Sequence, residues 1–187
     1  MRKLKLQIQM SVDGFIAGPQ GEMDWMIWDW GDDLNRYVSD LTAPVDTIVL
    51  GRKLAQDFIP TWTSRLENSQ TADAGARKMV ETRKVVFTQT LAESDWAMTE
   101  LAKGDLVEEI TRLKSEQGQD IITYGGGTFV SSLIAHGLID EYHLFVNPAV
   151  LGDGMSIFKG VHYKQGLTLV KSMAFDCGIV LLQYEPV

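Results

Sequence analysis

Apolar and polar side chains alternate at the start of the chain. Leu4, Leu6, Ile8 and Met10 are separated by lysine and glutamine residues, and this period of two predicts a β-strand with one apolar face. The same kind of signal predicts further strands at residues 46–50, 84–88, 120–124, 141–146, 167–174 and 179–184. The pattern therefore predicts a sheet of several strands.

Helical spacing fills most of the intervals between these strands. Apolar residues recur at i, i+3, i+4 and i+7 over residues 34–41. Helices are also predicted at residues 71–81, 105–117 and 128–136. A helical turn is predicted after Gly51, before a segment that contains Pro60. This order of elements predicts an α/β fold with a mostly parallel sheet and an antiparallel tail, in a single domain over residues 1–187.

The composition is that of an ordinary globular protein, with 45% hydrophobic and 22% charged residues. A formal net charge of −8 disfavours nucleic acid as a partner, because an acidic chain is repelled by phosphate backbones. The single cysteine, Cys177, excludes an intrachain disulfide, the three histidines show no metal-ligand spacing, and no apolar run is long enough to span a bilayer. These features predict a soluble cytoplasmic protein without a metal site, a membrane span or a nucleic-acid partner.

Three glycines separate the strand at residues 120–124 from a predicted helix. Gly125, Gly126 and Gly127 let the backbone approach a ligand closely, and the free N–H groups at the start of the helix favour a phosphate. Val130 stands where a dinucleotide fingerprint has its third glycine, and the Gly-Lys-Ser/Thr signature of a P-loop is absent. The glycines form either a phosphate cradle of another kind or only a tight turn.

Two adjacent cations follow the strand at residues 46–50. Gly51, Arg52 and Lys53 lie at its carboxyl end, which is the side on which ligands gather in open α/β sheets. The cations form either an anion site in the same crevice as the glycines or a pair of solvated surface charges.

An acid and an aromatic residue lie one turn apart at the start of the first predicted helix. Asp33 precedes Tyr37 by four residues, so both side chains lie on one side of the helix. They address one ligand, or Asp33 only complements the helix dipole. The glycine-rich segment before them, residues 14–31, is called the tryptophan loop here because it contains Trp25, Trp28 and Trp30. These rings either contact a ligand or form the packing core of the loop.

Together, several segments of the chain resemble the dihydrofolate reductase-like superfamily. In the order of that family they are residues 11–17 (SVDGFIA), 48–52 (IVLGR), 124–128 (YGGGT), 138–141 (LIDE), Pro148 and 151–154 (LGDG). The nearest likeness is to stand-alone relatives of the reductase domain of the bifunctional riboflavin-biosynthesis deaminase-reductase, and it spans nearly the whole chain. The resemblance implies a three-layer α/β/α sandwich with a mixed, mostly parallel central sheet that binds NADPH in a crevice.

The resemblance also implies a role for each matching residue. The glycine motif receives the pyrophosphate region of NADPH, the Gly-Arg motif contacts the adenosine phosphates, and the segment after the first strand leads into a loop over the nicotinamide. The implied cofactor-binding residues are Ile16, Ala17, Gly51, Arg52, Lys53, Thr88, Gly125, Gly126, Gly127, Thr128 and Phe129. Leu54 departs from the threonine of dihydrofolate reductases at this position and removes a phosphate-binding hydroxyl.

In dihydrofolate reductases a tryptophan five residues before a helical acid, and an aromatic residue one turn after it, belong to the substrate site. Trp28, Asp33 and Tyr37 reproduce this arrangement, which implies that Asp33 is the ligand-orienting carboxylate and that Trp28 and Tyr37 bind substrate. The resemblance thus implies a homodimeric, NADPH-dependent reductase that transfers a hydride to a small nitrogen heterocycle or imine-like substrate, such as an aminopyrimidine or a pterin.

Two other functions are compatible with the same sequence. The first is a non-catalytic nucleotide-binding or assembly module on the same fold, which the change to Leu54 favours. The second is phosphoryl or acyl transfer, which ranks last because the sequence offers no nucleophile–base pair.

Overall fold

The computed structural model describes residues 1–187 and contains one eight-stranded sheet. The strands are β1 (Leu4–Met10), β2 (Val45–Gly51), β3 (Arg83–Phe87), β4 (Thr99–Ala102), β5 (Asp120–Thr123), β6 (Glu141–Val146), β7 (Leu167–Ala174) and β8 (Val180–Pro186). The helices are α1 (Gly31–Thr42), α2 (Arg52–Glu67), α3 (Ala74–Glu81), α4 (Leu106–Ser115) and α5 (Gly127–Ala135). None of these helices is long and apolar enough to cross a membrane.

The strand order across the sheet is β4-β3-β2-β5-β1-β6-β8-β7. The strands from β4 to β6 in this order run parallel, whereas β8 pairs antiparallel with both β6 and β7. The sheet is therefore mixed and mostly parallel with an antiparallel tail, which confirms the predicted fold class. The parallel strands all end on one side of the sheet, which we call the carboxyl edge.

One face of the sheet is covered by α4 and α5. Leu6 and Ile8 of β1 point to this face and pack in one cluster with Leu113 of α4 and Leu133 of α5. All four side chains are buried, and each fully buried side chain of this size stabilises the fold by about 1.5–3 kcal/mol. The cluster fixes both helices on the sheet.

The opposite face carries two separate apolar clusters. Ile59 of α2 packs with Ile48 of β2, in a cluster that also includes α3. Leu34 of α1 packs with Leu181 of β8, at the other end of the sheet. Helices thus cover both faces and form the predicted three layers. Between the two clusters, the middle of this face is formed by β1.

Strand β1 directs three polar side chains to this second face, and two of them are buried. Lys5 is 7% exposed and Gln7 is 9% exposed. The predicted apolar face of β1 is confirmed on the other side of the sheet, and much of the polar side is buried as well. Because β1 is a central strand between β5 and β6, both of its faces are covered, and the alternation in sequence separates two buried environments. The charge of Lys5 is paired there with Asp120, whose Oδ2 lies 2.7 Å from Nζ.

Two elements differ from the pattern-based prediction. Helix α2 continues through Pro60 to Glu67 instead of ending after one turn. Proline removes one backbone hydrogen bond, but burial of Ala55 and Ile59 against the sheet holds the helix together. Strand β4 is absent from the prediction because it is a four-residue edge strand with only Ala102 buried, so its sequence carries no alternation signal.

Candidate functional site

The glycine turn after β5 leaves the start of α5 uncapped. Gly126 has a φ of +86°, which favours glycine, and no side chain caps the helix that follows. The first turn of α5 contains no acidic residue. A Cβ added to Gly125 would have no atom within 4 Å, so the turn borders open space. The free N–H groups and the positive end of the helix dipole suit an anion at this position.

The corner between β2 and α2 carries cations without a carboxylate partner. Strand β2 ends at Gly51, and α2 starts at the next residue with no acid in its first turn. Arg52 is half-buried, and its Nη1 donates to the neutral Oε1 of Gln56 at 3.0 Å. Lys53 is exposed. Both positive charges therefore remain available to an anion.

The glycine turn and the β2–α2 corner lie side by side at the carboxyl edge. Their strands, β2 and β5, are parallel neighbours. A Cβ on Gly51 would lie 2.7 Å from Cβ of Phe129, and a Cβ on Gly126 would lie 3.4 Å from Cβ of Leu54. The starts of α2 and α5 therefore meet at one place, which we call the phosphate corner (residues 51–54 and 125–129).

Two other residues of the implied cofactor set have structural partners at the same edge. Thr88 follows β3, and its Oγ1 accepts hydrogen bonds from the backbone N–H groups of Thr90 at 3.1 Å and Leu91 at 3.0 Å. The ring of Phe129 packs against Phe87, with 5.0 Å between centroids. Thr128 is exposed in the first turn of α5. Their roles toward a cofactor stay predictions.

The loop after β1 is fixed to the loop after β6 by Asp13. The Asp13 carboxylate accepts hydrogen bonds from the Ser11 hydroxyl and from the backbone N–H groups of Leu151 and Gly152, which lowers its pKa to about 2. Two segments far apart in sequence, residues 11–17 and 151–154, are thereby joined. Asp13 therefore bridges the loop after β1 and the loop after β6.

Ile16 and Ala17 are buried in this bridged region. The N–H of Ile16 donates to the carbonyl of Met155, and the N–H of Met155 donates to the carbonyl of Ala17, both at 2.8 Å. Cδ1 of Ile16 would lie 3.6 Å from a Cβ on Gly127. The loop after β1 therefore adjoins the phosphate corner.

The acid and the aromatic residue of α1 face the β7–β8 hairpin. Asp33 Oδ2 accepts from the backbone N–H of Asp176 at 2.9 Å, and Oδ1 accepts from Leu34 N–H at 2.7 Å. The hydrogen bond from Asp176 is the main cause of a lowered Asp33 pKa. Tyr37 lies on the same side of α1, with its ring 5.8 Å from that of Phe175. In this structure both carboxylate oxygens of Asp33 are engaged by the chain itself.

Trp28 lies apart from these contacts. It is 63% exposed, whereas Trp25 and Trp30 are half-buried and donate their ring N–H groups within the loop. The tryptophan loop is thus partly packed and partly open to ligands.

A hydrogen-bonded series of side chains runs beneath α1. The Tyr37 hydroxyl lies 3.0 Å from His143 Nδ1, and His143 Nε2 lies 3.2 Å from Glu141 Oε2. Lys3 Nζ donates to the other oxygen of Glu141 at 2.6 Å. The hydrogen bond to His143 and the contact with Lys3 lower the pKa of Glu141 to about 2. His143 is therefore a buried residue whose two ring nitrogens both have hydrogen-bond partners.

Comparison with known proteins decides the family. The family model described as the RibD C-terminal domain matches residues 2–181. The chain belongs to the RibD C-terminal domain family. Among relatives, the uncharacterized protein YyaP of Bacillus subtilis (strain 168) is 32% identical over 184 residues, which is 98% of this chain and 95% of YyaP.

Solved structures share the fold of this family member. A putative riboflavin biosynthesis protein from Shewanella sp. PV-4 superposes with a TM-score of 0.76 at 21% identity, covering 100% of this chain and 99% of that one. A diaminohydroxyphosphoribosylaminopyrimidine deaminase/5-amino-6-(5-phosphoribosylamino)uracil reductase from Thermotoga maritima gives a TM-score of 0.71 at 21% identity. It covers 100% of this chain and 57% of the Thermotoga chain. These likenesses agree with the α/β sandwich described above.

Three polar residues near the centre of the sheet of this RibD C-terminal domain belong to no sequence motif. Gln7, Gln9 and Asn147 lie on or just after the central strands β1 and β6. Oε1 of Gln7 is the one buried side-chain oxygen or nitrogen without a hydrogen-bond partner. Asn147 is fully buried. The sequence did offer a signal for them, namely the glutamines of β1. Parallel neighbours place this strand at the centre of the sheet, where polar groups cannot face solvent.

Proposed function

We propose that this protein is an NADPH-dependent reductase that transfers a hydride to a small nitrogen heterocycle or imine-like substrate, an aminopyrimidine or a pterin. Membership of the RibD C-terminal domain family supports a reductase. The observation that carries the proposal is the phosphate corner, where two helix starts, an open glycine turn and two cations without acidic partners meet. A diphosphate is the ligand that this combination suits best.

The residues at the phosphate corner fit the diphosphate half of NADPH. Gly125 leaves room for a ligand, and the N–H groups at the starts of α2 and α5 have no competing acid in either first turn. Arg52 and Lys53 supply positive charge in a chain whose net charge is −8. Thr88, Thr128 and Phe129 lie at the same edge as further proposed contacts.

The remaining groups would place a substrate beside the cofactor. When bound, NADPH supplies the hydride, and the chain contributes binding, alignment and exclusion of water. Ile16 and Ala17 hold the loop after β1 beside the phosphate corner, while Trp28 and Tyr37 are the proposed substrate contacts. Asp33 is the proposed orienting carboxylate, and it would have to release the Asp176 amide to bind a ligand.

A non-catalytic nucleotide-binding module is the second candidate, and two observations favour it. Leu54 packs at the phosphate corner where a hydroxyl is found in dihydrofolate reductases, and Asp33 is engaged by the chain itself. The two candidates differ in one outcome. The reductase oxidises NADPH when an aminopyrimidine or a pterin is added, whereas the module binds the nucleotide without oxidation.

Titration with NADPH tests the cofactor proposal. Binding should quench tryptophan fluorescence. Arg52→Ala should weaken NADPH binding by about 1.5–3 kcal/mol, because a charge-assisted contact is lost. Arg77→Ala is the matched control, since Arg77 is an exposed helical arginine on α3 that pairs with Glu81. Unchanged fluorescence and melting temperature at high micromolar NADPH would contradict the cofactor proposal. Equal NADPH affinity in Arg52→Ala and wild type would remove Arg52 from the site.

We also propose that a second copy of the chain pairs with the β7 edge of the sheet. Strand β7 ends the strand order, and seven of its eight residues are exposed. Leu169 and Val170 are 52% and 51% exposed there. An exposed apolar edge strand presents unpaired backbone groups, and an identical edge can pair with it about a two-fold axis.

A further inference from the structure

The side-chain amide of Asn147 joins three segments at the carboxyl edge. Its Oδ1 accepts from the backbone N–H of Ile27 in the tryptophan loop at 2.9 Å. Its Nδ2 donates to Oε1 of Gln9 at 3.0 Å and to the carbonyl of Phe145 at 3.3 Å. Asn147 is 0% exposed, so each lost partner would leave a buried polar atom unpaired.

The backbone partners of Asn147 fix which way its amide points. A backbone N–H only donates and a carbonyl only accepts, so the atom near Ile27 must be the oxygen and the atom near Phe145 must be the nitrogen. The Asn147 nitrogen then requires an acceptor from Gln9, which must present its oxygen. The orientation of the Gln9 amide is therefore set by Asn147.

This orientation leaves the amide nitrogen of Gln9 as a donor. Gln9 lies near the carboxyl end of β1, is half-exposed, and shares the second face of the sheet with Gln7. Strand β5 pairs with β1 only as far as Leu6, so the flank of β1 at Gln9 lies beyond the end of β5, where the glycine turn begins. The Gln9 donor is thus placed between the phosphate corner and the tryptophan loop.

The same amide anchors the tryptophan loop. Within the loop itself, Met26 donates to Met23, Trp25 to Glu22 and Trp30 to Ile27. The Ile27–Asn147 bond therefore ties this part of the loop to the sheet. Asn147 thus adds a polar anchor to the apolar packing of Ile27 and Trp30 against the α1–β8 cluster, and it also sets the direction of the Gln9 amide.

We propose that Gln9 is a substrate-contacting residue, which donates its amide N–H to a carbonyl or ring-nitrogen acceptor of the substrate, and that Asn147 is the positioning residue that orients it. This inference rests on the proposed reductase function, because it places the substrate beside the phosphate corner. It adds a polar requirement to the substrate class: the ring carries an acceptor atom that faces β1. The unpaired Oε1 of Gln7 adds an acceptor to the same face.

Binding of 5,6-diaminouracil in the presence of NADP⁺, measured by calorimetry, tests the role of Gln9. This probe has two ring carbonyl acceptors. Gln9→Met keeps the length of the side chain and removes the donor, and we expect it to weaken probe binding about tenfold or more with NADP⁺ affinity unchanged. Gln183→Met is the matched control, since Gln183 is a half-buried glutamine of β8 on the same face. Equal probe affinity in Gln9→Met and wild type overturns the proposal.

Two variants of Asn147 separate its two tasks. Asn147→Asp keeps an acceptor for Ile27 but removes the donor to Gln9, so probe binding should fall as in Gln9→Met while the Ile27 amide stays protected from hydrogen exchange. Asn147→Leu removes both contacts, so exchange in the peptide containing Ile27 should accelerate as well. Slow exchange at Ile27 in a folded Asn147→Leu protein overturns the anchoring role.

The outcomes distinguish this inference from the proposed function. If wild-type protein binds NADP⁺ but not the probe at millimolar concentration, the proposal that the substrate ring carries an acceptor facing β1 is overturned. The proposed cofactor site is not contradicted by that result. Wild-type protein that binds neither contradicts the proposed function and the role of Gln9 together, whereas the exchange measurement still decides the anchoring role of Asn147.

Discussion

The two glycines of the phosphate corner have opposite surroundings. A Cβ on Gly51 would collide with Phe129, whereas a Cβ on Gly125 would meet no atom within 4 Å. Gly51 allows α5 to pack closely against β2, so its small size serves the fold. Gly125 leaves space at the uncapped helix start, where the proposed NADPH diphosphate would bind.

Substitution by alanine should therefore have different effects at the two glycines. Gly51→Ala should destabilise the protein by about 1–3 kcal/mol, because the added methyl group overpacks the contact with Phe129. Gly125→Ala should leave the melting temperature unchanged and weaken NADPH binding. Thermal denaturation and NADPH titration of both variants check this prediction. A loss of stability in Gly125→Ala as large as that in Gly51→Ala would contradict it.

Glu141 should make the fold sensitive to acid. Its pKa is lowered from 4.5 to about 2 by hydrogen bonding to His143 and Lys3, so the folded protein binds this proton less readily than the unfolded chain. The stabilisation is complete above about pH 4.5 and is lost as the pH falls toward 2. Melting temperatures across this range should decline less steeply in Glu141→Gln than in wild type.

Glu185→Gln is the matched control for this pH dependence. Glu185 also pairs with Lys3, at 3.1 Å, but its side chain is more exposed than that of Glu141. The control should keep the steep decline of the wild type, because Glu141 is intact. Parallel pH profiles for wild type and Glu141→Gln would show that Glu141 does not carry the effect.

Among the elements, α4 begins with a cap that its sequence indicates, an aspartate followed three residues later by Glu108. Asp105 precedes the helix, and its Oδ1 accepts from the N–H groups of Val107 and Glu108 at 2.9 and 3.1 Å. Asp105→Ala should lower the free energy of unfolding by about 1 kcal/mol, because two backbone donors lose their cap. Denaturant unfolding measures this change. Asp95→Ala, at an exposed loop position, is the control and should leave stability unchanged.

Helix α2 shows the limit of local signals. Pro60 disfavours a long helix, yet α2 runs through it because Ala55 and Ile59 are buried against β2 and β3. Packing energy from residues distant in sequence outweighs the local cost of proline. The sequence contains both opposing signals, and only the assembled sheet decides between them.

At the scale of the whole molecule, the β7 edge should determine the oligomeric state. If a second copy pairs with this edge, light scattering after gel filtration should give twice the chain mass of 20.9 kDa. Leu169→Lys should shift the protein toward monomer, because it places a charge in the apolar contact. Thr168→Lys adds the same charge on the opposite face of β7 and serves as the control. A monomeric wild type would contradict the proposed pairing.

The sequence determined the fold class and the location of the phosphate corner. Period-two and helical patterns are local, so they identify most strands and helices, and the order of the elements fixes a mostly parallel sheet. Because parallel strands end at one edge, the sequence predicts that the glycine turn and the β2–α2 corner lie at the same crevice. The structure places them in contact through Gly51 and Phe129.

The tertiary structure alone decided which polar side chains have partners. Asp33 accepts the amide of Asp176, and Asn147 connects Gln9 with Ile27, through contacts between segments more than 100 residues apart in sequence. Such contacts leave no periodic signal, because they depend on which strands become neighbours after folding. For the same reason, the alternation in β1 does not show that Lys5 and Gln7 are buried at the centre of the sheet.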